Sequence, residues 1–194
     1  LKILNQAYLG GGTALALQVG HRSSVDLDFF LPRPSFKTAA FLEHLKKFDW
    51  RAKIVEEGTI YGELSGAKVS FIAYPFFVSK CKPVWYGTVR ILQPRDIAVM
   101  KIIAISQRGR KRDFFDLFWC AKNIEPLEQT IRRLEEQYPT VVHNYHHILK
   151  SLIYFVDAEN DPLPKFFFKA RWKEVKEFFH KEVMALNKKF LGLY

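Results

Sequence analysis

Two acidic residues, Asp26 and Asp28, lie two positions apart in an apolar stretch. Residues 23–30 predict a β-strand that ends at Pro32. Because successive side chains of a strand point to opposite faces, both carboxylates should project from one face, close enough to share a divalent cation. A plainer interpretation stays open, in which Leu27 points into the core of an edge strand and the acids face solvent.

A run of three glycines at 10–12 precedes this stretch and leads into a short helical pattern that ends near Val19. Thr13 is predicted to be the N-cap of that helix. Backbone N–H groups in such a turn can approach phosphate oxygens, and the helix N-terminus adds positive potential. The loop before the acids adds candidate guanidinium and hydroxyl donors in Arg22, Ser23 and Ser24. An ordinary strand-to-helix turn is the alternative for the glycines, and a solvated loop is the alternative for these three residues.

A second set of charged residues lies beyond Pro94. Lys101 and Arg108 are seven positions apart on one predicted helix, so they share nearly one face. Asp113 and Asp116 are three apart on the next helix and also share a face. Ordinary structural roles remain open for three of them. The stem of Lys101 can lie along an apolar helix, and Asp113 and Asp116 can complement the helix dipole and pair with Arg112.

Both sets resemble motifs of the AbiEii-type nucleotidyltransferases of the polymerase-β-like superfamily. The later motifs of that family contain a Lys, an Arg and a Lys-x-Asp-x-x-Asp pattern. The resemblance covers most of residues 8–120, and beyond residue 123 only a helical pattern remains. The matching segments are GGTAL at 11–15, HRSSVDLDFF at 21–30, DIAVMK at 96–101 and RGRKRDFFDL at 108–117.

This resemblance implies the toxin of a toxin–antitoxin or phage-defence pair. Such a toxin moves a nucleotide from a nucleoside triphosphate (NTP) to an acceptor, either RNA such as tRNA or a protein. It implies Mg²⁺ or Mn²⁺ as cofactor, held by Asp26 and Asp28, and a cognate antitoxin as partner. Lys101 and Asp113 would complete the catalytic set. The implied nucleotide- and phosphate-binding residues are Gly11, Gly12, Thr13, Arg22, Ser23, Ser24, Arg108, Lys111 and Asp116.

The chain departs from the superfamily at the third carboxylate, which a later strand usually supplies. The strand at 67–74 offers Ser70 on the candidate face instead. Either Asp113 or Glu63 substitutes, or one metal binds, or the site binds nucleotide without turnover. A non-catalytic nucleotide- or nucleic-acid-binding protein, or an antitoxin-interaction protein, is therefore the alternative function. An upstream helix is also expected ahead of the glycine run.

The predicted fold is α+β: a small mixed β-sheet nucleotidyltransferase core with flanking helices at 1–93, followed by a helical C-terminal lobe at 94–194. Strands are expected at 51–57, 59–64, 67–74 and 89–92, and helices at 35–48 (capped by Ser35), 94–107, 112–123, 126–138, 141–156 and 164–187.

Composition narrows the class of protein. The chain has 194 residues, 48% of them hydrophobic, and a net charge of +10, which favours polyanionic partners. The final thirty residues hold eight Lys or Arg against three Glu. In the last predicted helix, packing of its aromatic side chains is favoured over RNA stacking, with RNA contact by the basic face left open.

The chain is expected to be a soluble protein of the reducing cytoplasm. Its two cysteines, Cys81 and Cys120, lie far apart and do not have the spacing of a disulfide framework or a zinc site. No signal peptide is recognisable. The longest apolar stretch, at 97–105, is broken by Lys101 and is too short to span a bilayer, so no membrane contact is predicted.

Overall fold

The computed structural model describes residues 5–192, and these contain one seven-stranded mixed sheet. β2 runs antiparallel to β1 and parallel to β5, so it lies in the middle of the sheet. The interpretation of Asp26 and Asp28 as acids of an edge strand is therefore wrong. The spatial order is β3-β4-β5-β2-β1-β7-β6. The strands are β1 Tyr8–Gly10, β2 Leu27–Leu31, β3 Trp50–Glu56, β4 Thr59–Leu64, β5 Ala67–Ala73, β6 Val84–Tyr86 and β7 Val89–Ile91.

Eight α-helices flank and follow the sheet in the described part of the chain, which confirms the predicted α+β class. Pro94 starts α3, and Gly109 ends it in the left-handed conformation with its N–H on the carbonyl of Ile105. Within residues 5–192, no helix combines the length and apolar composition that crossing a bilayer requires. The helices are α1 Gly11–Val19, α2 Thr38–Leu45, α3 Pro94–Arg108, α4 Lys111–Asn123, α5 Leu127–Arg132, α6 Leu134–Gln137, α7 Tyr145–Ser151 and α8 Trp172–Leu191.

Two hydrophobic cores lie on the two faces of the sheet. The smaller one packs α2 against β4 and β5, with Phe41 on Phe71 at 4.6 Å between ring centroids. The larger one joins α1 and β7 to α3, α4 and α8, and it includes Leu15, Leu92 and Ile97. This core crosses Pro94, so the two parts share one interior. The division into 1–93 and 94–194 stays a prediction, and its end residues 1 and 194 lie outside the described residues.

Several predicted elements are shorter in the structure. β2 begins at Leu27, so Asp26 lies just before the strand. The helix predicted at 35–48 covers only Thr38–Leu45 and is preceded by Lys37, which makes the Ser35 cap wrong. The helix predicted at 126–138 is divided between α5 and α6, and the one at 141–156 is reduced to α7. Strands β1 and β6, of three residues each, were not predicted.

The largest difference concerns the predicted helix at 164–187. α8 begins only at Trp172, and the residues before it run as a non-helical segment over α4. Phe166 forms an antiparallel bridge with Arg22, so this segment contacts the loop that precedes the acid pair. A partner almost 150 residues away in sequence overrides the local helical pattern.

Candidate active site

A cavity of about 630 Å³ lies between α3 and the sheet face formed by β2, β4 and β5. Part of its wall is apolar, from Phe30, Ile72, Tyr74, Ile97, Met100 and Ala104. A ligand with both an aromatic body and a charged end would match this lining. The polar part of the wall includes Gly11, Gly12, Arg22, Ser24, Asp26, Asp28, Lys68, Ser70, Lys101, Arg108, Arg112 and Asp113.

The acid pair lies at the polar end of this cavity. Asp28 lies in β2, directly between Gly10 of β1 and Ser70 of β5 in the strand register. The Ser70 hydroxyl donates a hydrogen bond of 2.7 Å to Oδ1 of Asp28. Asp26 precedes the strand, and its Oδ2 lies 3.5 Å from Nη1 of Arg112. Both carboxylates are half-buried and reach the same cavity, although only one of them belongs to the strand.

The glycine turn packs directly against this pair. Gly11 has a φ of +66°, and a Cβ atom added there would lie 2.9 Å from Oδ2 of Asp28. Gly10 takes the N-cap position of α1 and offers no side-chain cap, so no capping side chain of the described residues satisfies the first-turn N–H groups. Main-chain donors at a helix N-terminus beside two carboxylates are suited to a metal-bound phosphate.

Thr13 does not have its predicted role as N-cap. It is the third residue of α1, and its hydroxyl donates to the main-chain oxygen of Asp26 and lies 2.8 Å from Oγ of Ser24. Its side chain is buried and does not line the cavity. Thr13 therefore fixes the loop that carries Asp26, while Ser24 lines the cavity itself.

A buried ionic network lies next to the acid pair and joins the loop at 21–22 to α3 and α4. Nζ of Lys101 lies 2.5 Å from Oδ1 of Asp113 and 2.7 Å from Oδ2 of Asp116. Arg22 holds Asp116 with two hydrogen bonds, of 2.6 Å from Nε and 2.9 Å from Nη2. Nε2 of His21 completes the network at 2.7 Å from Oδ1 of Asp116.

Burial and charge pairing act in opposite directions on the pKa values of this network. Burial alone would raise the pKa of Asp116, but Lys101, Arg22 and His21 hold it well below its usual range. Burial alone would lower the pKa of Lys101, but the carboxylates of Asp113 and Asp116 raise it. Asp116 and Lys101 therefore both stay ionised at neutral pH.

One atom of the network is left without a protein partner. Oδ2 of Asp113 is buried and accepts no hydrogen bond from residues 5–192, although the residue lines the cavity. Buried carboxylate oxygens are rarely left unsatisfied, so this atom is the natural acceptor for a donor brought in by a ligand.

Besides Thr13, three more of the expected phosphate ligands lie outside the cavity wall. Nζ of Lys111 donates to the main-chain oxygens of Glu159 and Asp161, at 2.7 and 3.0 Å. Asp116 lies behind Lys101 and binds only side chains of the network. The N–H of Ser23 donates to a main-chain oxygen, and its side chain faces solvent. By contrast, Arg108 lines the cavity as expected.

Two cations of the cavity were missed in the sequence. Arg112 directly precedes Asp113, and Lys68 lies two residues before Ser70 on the same strand face, so the alternation that pointed to Ser70 could also have found Lys68. Glu63, the other candidate third acid, pairs with Nζ of Lys53 at 3.4 Å and does not line the cavity.

The acid pair fits a divalent metal. Among residues 5–192, no group of three or more His, Cys, Asp or Glu side chains is arranged around a single metal position. Mg²⁺, however, is commonly held by one or two carboxylates together with waters and substrate phosphates. Asp26 and Asp28 supply this minimal set, with the glycine turn beside them for the phosphates.

The α+β fold and the acid pair beside a glycine turn are features expected of a nucleotidyltransferase. The model of the family described as nucleotidyl transferase AbiEii toxin, type IV TA (toxin–antitoxin) system, matches residues 3–76 and 83–190. The chain belongs to this family, and it is therefore a nucleotidyltransferase toxin.

Similar proteins agree with this assignment. An uncharacterised protein of Aquifex aeolicus (strain VF5), aq_aa25, is 36% identical over 190 residues, which cover 94% of this chain and 89% of that protein. A crystal structure from H. pylori has a TM-score of 0.55 at 19% identity and covers 99% of this chain and 92% of its own. MenT4, the nucleotidyltransferase toxin Rv2826c of Mycobacterium tuberculosis H37Rv, has a TM-score of 0.51 at 17% identity and covers 93% and 76%. At these identities the two structures support the fold.

Proposed function

We propose that the cavity binds an NTP with Mg²⁺ or Mn²⁺ and transfers its nucleotidyl group to a hydroxyl of RNA, such as tRNA, or of a protein. The observation that carries this proposal is the glycine turn packed against Asp28, with Asp26 on the same cavity wall. The metal would be held by these two carboxylates, and it would neutralise and orient the triphosphate. We also propose that this protein has a cognate antitoxin as its partner and that it acts in the cytoplasm.

The cations of the cavity fall into two groups. Lys68 and Arg108 form no ion pair within residues 5–192, so both are free to meet the triphosphate. Arg112 contacts Asp26 at 3.5 Å, and its guanidinium keeps further donors for a phosphate. Arg22 and Lys101 are already matched by buried acids. Since an ammonium has three donors, Lys101 keeps one for a phosphate oxygen after binding Asp113 and Asp116.

Asp113 is proposed as the general base. Oδ2 of Asp113 has no protein partner, and Lys101 fixes the other oxygen of its carboxylate. In the reaction, the acceptor oxygen forms a bond to the α-phosphorus, and the bond from that phosphorus to the pyrophosphate oxygen breaks. The proton of the acceptor hydroxyl passes to Asp113, and pyrophosphate leaves with the bonding pair.

Ser70 motivates a second candidate function, binding of nucleotide or nucleic acid without turnover. Its hydroxyl lies in strand register with Asp28, where the related superfamily sites would supply a third acid. Binding that does not depend on magnesium, with no transfer, would favour this function.

The test is incubation of the protein with magnesium and each of four α-labelled NTPs, with bulk tRNA or the protein itself as acceptor. Asp28→Ala should lower the transfer rate by on the order of a hundredfold to a thousandfold, because it removes half of the metal site. Asp49→Ala is the matched control, since its carboxylate is 65% exposed and the residue lies directly before β3. Transfer that survives Asp28→Ala would rule out the proposed site. Nucleotide binding without any labelled product in the wild type would favour the non-catalytic function.

A further inference from the structure

The non-helical segment at 164–171 is tied to the loop that carries Arg22. The N–H of Ser23 donates to the main-chain oxygen of Lys165 at 2.8 Å, and the N–H of Phe167 donates to that of His21 at 2.9 Å. Arg22 lines the cavity from the same loop. We call residues 164–171 the strap. These main-chain bonds place the strap beside the loop that leads to the cavity.

Side chains of the strap alternate between two environments. Phe166 and Phe168 point inward, and Phe166 stacks on Phe115 of α4 with ring centroids 4.2 Å apart. The residues that alternate with these two face solvent, and Phe167 is 60% exposed. The packing of the inward aromatics explains why the strap holds its shape, but it does not explain an exposed phenylalanine. The outward row consists of Lys165, Phe167, Lys169 and Arg171.

The outward row is strongly basic. Residues 162–173 contain no Asp or Glu, and within residues 5–192 neither Lys165 nor Lys169 forms an ion pair. Nζ of Lys165 lies 5.6 Å from the ring centroid of Phe167, and Arg171 is held by Glu174 at 2.8 Å. The strap therefore presents one exposed aromatic ring between two free cations.

We propose that the outward row is a docking platform for single-stranded RNA. Proteins that bind single strands combine aromatic rings, on which bases stack, with cations that follow the phosphates. Phe167 would stack on a base, and Lys165 and Lys169 would contact the flanking phosphates. The charge of the row matches a polyanion, and its hydrogen bonds to the cavity loop place the bound strand next to the reaction. That this RNA is the acceptor rests on the proposed function, whereas the binding itself does not.

The test is fluorescence anisotropy of a labelled single-stranded RNA oligonucleotide, titrated with protein and without NTP at several salt concentrations. Phe167→Ala should weaken binding about fivefold or more, the effect typical of losing one base-stacking ring. Lys165→Ala should reduce the slope of log affinity against log salt by about one. Phe48→Ala is the matched control, because Phe48 is also exposed, at 56%, and also lies beside lysines, Lys46 and Lys47. It differs in position, since it follows α2 on the opposite face of the sheet.

The outcomes separate this inference from the proposed function. If Asp28→Ala binds the RNA like the wild type while Phe167→Ala does not, the platform exists independently of catalysis. Equal RNA affinity of Phe167→Ala, Phe48→Ala and the wild type would overturn the platform and leave the row as a protein-docking face. Failure of the wild type to bind RNA would overturn it too, yet transfer to a protein acceptor would still support the proposed function. Circular dichroism of each variant establishes that the fold is retained.

Discussion

The site contains two sets of carboxylates that differ in burial and in partners. Asp113 and Asp116 are at most 2% exposed, and between them they bind Lys101, Arg22 and His21. Asp26 and Asp28 are half-buried, with one arginine at 3.5 Å and one serine hydroxyl as their side-chain partners. The first set is nearly saturated by the protein, and the second leaves most of its oxygen lone pairs unused.

This difference separates positioning from ligand binding. A buried carboxylate that has lost its water must be paired inside the protein. Both oxygens of Asp116 are therefore bound by side chains, which join α4 to α3 and to the loop at 21–22. A half-exposed pair keeps water as an alternative ligand, so a metal and a triphosphate can replace that water at small cost. Asp113 is buried like Asp116, but only one of its two oxygens is paired within residues 5–192.

The largest effect is expected for Asp116→Asn. The change leaves Arg22 and His21 without an ionised partner and leaves Lys101 with Asp113 alone. Breaking a buried pair costs about 3–5 kcal/mol of folding free energy. Urea denaturation measures this loss, and the exposed Asp49→Asn should stay within about 0.5 kcal/mol of wild type.

The same variant has a defined pH dependence. The pKa of Asp116 is lowered in the folded protein, so its contribution is complete above the ordinary carboxyl pKa of about 3.9 and is lost as the pH falls below it. The pKa of Lys101 is raised, so its contribution is lost only as the pH rises beyond its ordinary value of about 10.4. The stability difference between wild type and Asp116→Asn should thus be flat from about pH 5 to 9 and should narrow below about pH 4. A difference that grows towards acid would contradict the assignment of the network.

An intermediate effect is expected for Gly12→Ala, which links the two sets. A Cβ atom there would lie 1.9 Å from Nη2 of Arg22, so the guanidinium must leave its two hydrogen bonds to Asp116. We expect a loss of about 1–3 kcal/mol in stability, as for other overpacked sites, together with slower nucleotidyl transfer. Gly20→Ala is the control, because a Cβ there meets no atom within 4 Å while its φ of +62° still strains the backbone. If both variants transferred nucleotide at the same rate, Arg22 would have no part in the site.

The smallest effect is expected for Ser70→Ala. It removes a single hydrogen bond to Asp28 and should lower kcat/KM about fivefold to tenfold, with little change in the urea midpoint. Ser35→Ala, at an exposed serine before α2, should change neither quantity. A drop as deep as that of Asp28→Ala would instead make Ser70 a direct ligand of the metal or the substrate.

Much of this site was predictable because its residues lie in short local patterns. Alternation within each strand assigned Asp28 of β2 and Ser70 of β5 to the candidate face, and the glycine turn before α1 is visible in the sequence. Helical spacing placed Lys101 and Arg108 on one helix and Asp113 on the next. These inferences need only the geometry of a single element.

The pairing of charges was not predictable in this way. Nothing local indicates that Asp116 receives Arg22 from a loop 94 residues earlier, or that Lys111 turns away to the carbonyls of Glu159 and Asp161. The extended form of residues 164–171 has the same origin, because its hydrogen bonds go to residues 21–23. Sequence spacing reports neighbours on one element, whereas these partners are chosen by how separate elements pack.

By itself, then, the sequence determined the α+β class, the helix that begins at Pro94, and the residue types that could hold a metal and a triphosphate. Only the tertiary structure decided which of those charges stay free. Burial requires every desolvated charge to have a partner. Packing therefore removed Asp116 and Lys111 from the candidate ligands. It left Arg22 and Lys101 on the cavity wall, but largely paired with acids. The same packing kept Asp26 and Asp28 open to solvent and brought Lys68 and Arg112 to their cavity.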